Sequence, residues 1–299
     1  MEVAVIKKIT TVLTAVLLIS LLITGCAGSQ TQKNKENKEL TLGYVQWASA
    51  EASTYLMEEV LERAGYDVKQ MTVQAGAMYQ GTAKGDIDSI VCAWLPKTHK
   101  SYWKEYGDKL VDLGANYEGA KIGLVVPKYV DTNSIAELRN NAEKFNKKII
   151  GIDPGAGIMQ VTSNKTLDEY GLSDWTLVES SGPAMTAKLK QAINDKKPVV
   201  VTGWTPHWKW FSFDLKFLKD SKGVYGKPEM IKTLGRPGIK EDHPEAAKIL
   251  QNYRLNNKQL GKLIKMAKDA EDLEKAAAKF VDQNKGLVNQ WLPQDKQLN

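Results

Sequence analysis

Short apolar runs alternate with amphipathic stretches along most of the chain, the rhythm of strands joined by crossover helices. Leu40–Gln46, Asp67–Val73 and Ile87–Ala93 read as strands. Between them, Glu51–Ala64 is a helix ended by Gly65, and a short helix through Met78–Ala83 stops at Gly85. Lys97–Tyr106 is helical, Leu110–Leu113 is extended, and Ile122–Pro127 is a strand leading away from this block. The pattern then restarts. Ile149–Ile152, Thr176–Val178 and Pro198–Thr202 are strands, separated by helices at Met159–Tyr170 and Ala184–Ile193. Asp214–Leu218 is extended and returns toward the first block. Good helix formers dominate the remainder, giving helices at Glu245–Tyr253, Lys258–Ala267, Ala270–Phe280 and Lys285–Trp291 that need the first block as partner. Two blocks of this kind predict an α/β protein of two parallel-sheet lobes. Crossings near Lys121 and at Phe211–Asp214 would hinge them as a clamshell.

The front of the chain follows a different logic. Lys7 and Lys8 precede a short apolar run, Ile9–Leu22, followed by Ile23-Thr24-Gly25-Cys26. This is the layout of a secretory signal, and the run is too short to span a membrane comfortably. Leu22-Ile23-Thr24-Gly25-Cys26 resembles the bacterial lipobox, which implies cleavage after residue 25 and a lipid on Cys26. Ala27–Lys38 is almost wholly polar and reads as a flexible tether. The division expected is therefore 1–25 signal peptide, 26–38 lipidated cysteine and tether, 39–121 with 212–299 as the first lobe, and 122–211 as the second.

Composition removes several classes of function. The chain carries 41 basic and 35 acidic side chains, a mild excess mixed along helices, which reads as solvated surface with no nucleic-acid partner. With Cys26 lipidated, Cys92 is the only thiol and no internal disulfide can form. Three His and two Cys at unrelated positions make no metal site of familiar spacing. No Gly-x-Ser-x-Gly elbow, P-loop or complete dinucleotide fingerprint is present, and no nucleophile–base pair stands out. The reading is a protein without catalysis, cofactor or metal.

What remains is aromatic. Trp47, Trp94 and Trp204 each stand at the C-terminal end of an apolar strand, where the ligand crevice of open α/β folds lies. One such Trp can equally be a core residue capping its strand; three suit a cage for a cation that donates no hydrogen bond, such as a quaternary ammonium. Asp153-Pro154-Gly155-Ala156-Gly157-Ile158-Met159 follows a strand and opens a helix, so the N–H groups of Gly157 and Ile158 can face an anion the size of a carboxylate. The same glycines also fit a plain tight turn. His99, one turn past Trp94, can donate to that carboxylate or simply be a surface or core residue.

Four segments, Gly43-Tyr44-Val45-Gln46-Trp47, Ala93-Trp94-Leu95-Pro96-Lys97-Thr98-His99, Ile152-Asp153-Pro154-Gly155-Ala156-Gly157-Ile158 and Thr202-Gly203-Trp204-Thr205-Pro206-His207-Trp208, together resemble the glycine betaine/proline betaine substrate-binding proteins of ABC importers. The resemblance covers Glu39 to Trp291. It implies a clamshell like the type II periplasmic binding proteins. It also implies a prism of Trp47, Trp94 and Trp204 around a trimethylammonium head, with the ligand carboxylate held by the Gly157 and Ile158 amides and His99. Where several relatives carry an acid after the first Trp, this chain has Ala48. The partners implied are a betaine and an ABC permease with its cytoplasmic ATPase, met by a lipid-anchored receptor on the outer face of the cell membrane. Rival readings are a receptor for choline, carnitine or a sulfonium solute such as dimethylsulfoniopropionate, a secreted enzyme acting on trimethylamines, and a sensory lipoprotein.

Overall fold

The computed structural model describes residues 38–299. The signal peptide, Cys26 and the tether up to residue 37 lie outside the described residues. Lys38, the last tether position, is already docked, with its ammonium over the Tyr66 ring and its carbonyl accepting from the Asp67 N–H.

The first block is β1 (Glu39–Tyr44), α1 (Ala48–Arg63), β2 (Asp67–Thr72), α2 (Ala75–Lys84), β3 (Ser89–Leu95) and α3 (Lys100–Tyr106). β3 is buried at every position, as a strand covered on both faces must be. A single long strand, β4 (Val111–Pro127), follows. The second block is β5 (Lys148–Ile150), α4 (Gly157–Val161), β6 (Thr176–Val178), α5 (Gly182–Asn194), β7 (Val201–Thr205) and β8 (Leu215–Phe217). The chain closes with β9 (Glu229–Gly235), α6 (Pro244–Asn252), α7 (Asn257–Asp269) and α8 (Leu273–Gln283). Helix α7 starts in a capping box, with Asn256 and Gln259 bonding each other's backbone N–H. It packs with α8 against α1, over the first block.

The strands run in the order β2-β1-β3-β9-β4-β7-β5-β6, with β8 paired to β4. The trios β1–β3 and β5–β7 are parallel, as crossover helices require, but β9 and β4 run antiparallel to their neighbours, so the sheet is mixed. The cause is β9. The returning chain inserts between β3 and β4, antiparallel to both.

Two segments read separately from sequence, Leu110–Leu113 and Ile122–Pro127, are the two ends of β4. Residues 111–120 pair with β9, and Lys121–Val125 pair with β7, so one strand belongs to both halves of the sheet and changes partner between Ala120 and Lys121. Three register shifts against β9 bend its first half and interrupt the alternation that marks a strand. The second crossing also differs from expectation. Leu215–Phe217 stays with the second half, pairing with Val125–Pro127, so the chain returns later, between Phe217 and Glu229. β8 covers backbone of β4 that would otherwise be an open edge.

Asp88, just before β3, fastens the first half. One carboxylate oxygen accepts from the Thr41 N–H of β1 at 2.7 Å and the other from Arg236 Nε at 2.6 Å, just past β9. Asp88→Ala leaves a half-buried guanidinium short of one partner and a strand N–H unpaired. The expected loss of unfolding free energy is about 1–3 kcal/mol, read from chemical denaturation.

Candidate functional site

Trp47, Trp94, His99, Gly157, Ile158 and Trp204 all line one cavity, with about 330 Å³ of atom-free space, between the two halves of the sheet. Strand geometry brings them there. Trp47 is the N-cap of α1, three residues past β1; Trp94 is the next-to-last residue of β3; Trp204 lies at the end of β7. Gly157 opens α4 in the loop after β5. All three indoles are no more than 6% exposed. Ser49, Thr98, Ile122, Ile152 and Ala156 complete the lining. Thr98, Ile152 and Ala156 lie inside the segments noted from sequence. Ser49 and Ile122 carried no signal: one is in the first turn of a helix, and the other is just past the partner change in β4.

Each ring is held from outside the cavity. The Trp47 indole N–H donates to Asp153 Oδ2 at 2.8 Å, from one half of the sheet to the other. The Trp204 carbonyl accepts from the Trp210 indole N–H at 2.8 Å, and the His207 ring stands edge-on to Trp204 with centroids 4.9 Å apart. Lys209 Nζ sits 4.1 Å from the Trp204 ring centroid, fully buried and without a hydrogen-bond partner. Burial drives the Lys209 pKa well below the usual lysine range, favouring the neutral amine. Beyond Trp94, the loop is clamped by Glu229, whose carboxylate accepts from the Lys97 and Thr98 N–H groups and from the Thr98 hydroxyl.

His99 is part of this framework as well as of the lining. It is 1% exposed, and its Nδ1 accepts from the Trp94 N–H at 3.1 Å and faces the Tyr79 hydroxyl at the same distance. Burial lowers its pKa from 6.5 to about 3, so the ring is neutral near pH 7. With Nδ1 accepting, the remaining proton is on Nε2, which leaves a neutral N–H donor.

The halves meet directly around the cavity. Tyr102 donates its hydroxyl to the Gly155 carbonyl at 2.6 Å, and Ser101 donates to Gln160 at 2.7 Å. A Cβ on Gly157 would stand 2.0 Å from the Thr98 carbonyl oxygen, so only glycine permits this approach. The first N–H groups of a helix have no partner within it, and at α4 these belong to Gly157 and Ile158. Among the described residues, no three His, Cys, Asp or Glu are placed to hold a metal, and no helix is long and apolar enough to cross a membrane. Cys92 is buried in β3 with its thiol against Met78, and burial pushes its pKa up to about 12.

This geometry coincides with a family match. The family OpuAC, described as the substrate binding domain of ABC-type glycine betaine transport systems, matches residues 38–283. The chain belongs to this family. It is one of transport receptors, not a class of enzymes. The chain is 46% identical over 151 residues to the glycine betaine/carnitine transport binding protein GbuC of Listeria monocytogenes, a match over 50% of each chain. The chain thus spans about half the length of that curated relative. Among solved structures it is similar to lactococcal OpuAC in its closed, glycine betaine-bound conformation, at 40% identity and a TM-score of 0.81, over 86% of this chain and 100% of that one. It is also similar to the glycine betaine/L-proline-binding protein ProX of Borrelia burgdorferi, at 37% identity and a TM-score of 0.83, over 87% and 98%. The fold is that of the two-lobed periplasmic binding proteins.

The buried imidazole gives a pH dependence whose sign is fixed. The unfolded chain takes up the His99 proton near 6.5 and the folded chain only near 3, so the contribution is present above pH 6.5 and is lost as pH falls toward 3. His207 is shifted the same way by burial. The melting midpoint should therefore fall on acidification from neutral pH to about pH 4. It should fall less steeply in His99→Gln, which keeps an acceptor for the Trp94 N–H; thermal denaturation across that range reads both.

Proposed function

We propose that this chain is an extracytoplasmic receptor that captures glycine betaine and related betaines and delivers them to an ABC importer. The observation that carries the reading is the meeting of three indoles, a neutral imidazole and the first amides of α4 on one cavity. A trimethylammonium head has no N–H to donate, so aromatic faces in a water-poor space are what can hold it, each desolvated contact contributing ~2 kcal/mol. Trp47, Trp94 and Trp204 take that role. The ligand's carboxylate needs donors, which the Gly157 and Ile158 N–H groups and His99 Nε2–H supply without any fixed cationic side chain. Choline has no carboxylate and would leave those donors idle, which favours the betaines over it.

The ligand touches both halves and so favours the closed form, the shape a permease with its ATPase would engage. In this reading the lobes are 39–121 with the C-terminal part of the chain, and the segment from 122 onward. We put the second boundary between Phe217 and Glu229 in place of 211–214, a choice supported by the pairing of Leu215–Phe217 with Val125–Pro127. Anchoring through a lipid on Cys26 is supported by the Leu22-Ile23-Thr24-Gly25-Cys26 sequence. It would keep the receptor at the membrane surface near its permease.

Two measurements test this. Isothermal titration with glycine betaine should show Trp94→Ala and Trp204→Ala each weakened by about 1–2 kcal/mol or more; unchanged affinity in both would remove the cage. Cys26→Ser should shift the protein from the membrane fraction to the medium or the soluble fraction.

A further inference from the structure

Asp153 is a buried carboxylate with half of its valence unused. It is 6% exposed. Oδ2 accepts the Trp47 indole N–H, while Oδ1 is shielded from solvent and has no hydrogen-bond partner. No Lys, Arg or His pairs with it among the described residues. Burial raises the Asp153 pKa, and the Trp47 indole N–H pulls it back. A native fold rarely leaves a buried carboxylate oxygen unpaired without a reason. The neighbours supply one: Ile152 and Ala156, on either side, and Trp47, at the other end of the hydrogen bond, all line the cavity.

We propose that Asp153 is the positioning residue that makes this cage select an onium cation, by fixing the Trp47 indole through its N–H and enriching that ring with negative charge. The inference rests on the functional reading above and extends it to what decides charge selectivity. A carboxylate accepting from an indole N–H pushes electron density into the π system, and the ring face is what a cation binds. The same bond joins the two halves, since Trp47 follows β1 and Asp153 follows β5. The ring is therefore locked when the cavity is closed.

The test uses Asp153→Asn, which keeps size and an acceptor for the indole but removes the charge, with Trp47→Phe and the double variant. Binding of glycine betaine is measured by titration calorimetry. Binding of 3,3-dimethylbutanoate, its carbon analogue with an uncharged head, is measured by competition. Asp153→Asn should weaken glycine betaine roughly tenfold, as expected for a lost charge-assisted hydrogen bond, and leave the carbon analogue unchanged or tighter. In the Trp47→Phe background the Asn substitution should add little. Ligand-free melting of Asp153→Asn should stay near that of wild type. Equal weakening of both ligands, wild-type affinity in Asp153→Asn, or effects that multiply in the double variant would overturn the inference and leave the functional reading intact. Wild type that fails to bind glycine betaine would overturn both.

Discussion

An aromatic face can be offered to a ligand only if the rest of the ring is satisfied from elsewhere. A buried indole has one N–H, and leaving it unpaired costs more than a single π contact returns. At Trp47 the architecture answers this constraint directly, and around the other two rings it braces the backbone that carries them. Trp47 sends its N–H across to Asp153, Trp204 is backed by His207 and Lys209 with its carbonyl tied to Trp210, and the backbone N–H of Trp94 is spent on His99.

His99 shows how tightly lining and support are fused. One ring nitrogen fixes the strand end that carries Trp94, and the other keeps a proton for the cavity. The ring's neutrality comes from burial beside Tyr79, Tyr102 and Trp47. A cation there would compete with an onium ligand for the same aromatic surface. Lys209 follows the same logic behind Trp204, where full burial pushes the amine's pKa well below the usual lysine range.

The sequence was most informative where chemistry is local. The three tryptophans, the glycine-rich turn and His99 sit in short segments whose residue types announce their place at strand ends, and the helices carried their own caps and periodicity. Long-range pairings left no such trace. β9 went unread because its neighbours on both sides, β3 and β4, lie more than a hundred residues upstream. β4 read as two pieces because its register shifts break the alternation. Leu215–Phe217 showed itself as extended but not which half would claim it. The Trp47–Asp153 bond joins positions 106 apart, and neither residue alone points to the other. Nothing in the local sequence sets Lys209 apart; only the packing around β7 takes it out of water.

The partner change inside β4 bears on how such a receptor can move. A clamshell hung on slack linkers can sample many relative orientations, and most of them are useless for recognition. Here an unbroken hydrogen-bonded ribbon runs from one plate into the other through Ala120 and Lys121. Bending that ribbon is cheap in few directions, because its ladder must survive on each side of the fold line. In the receptor proposed above, such a hinge would channel opening and shutting onto a narrow arc and make the shut outline reproducible from one capture to the next.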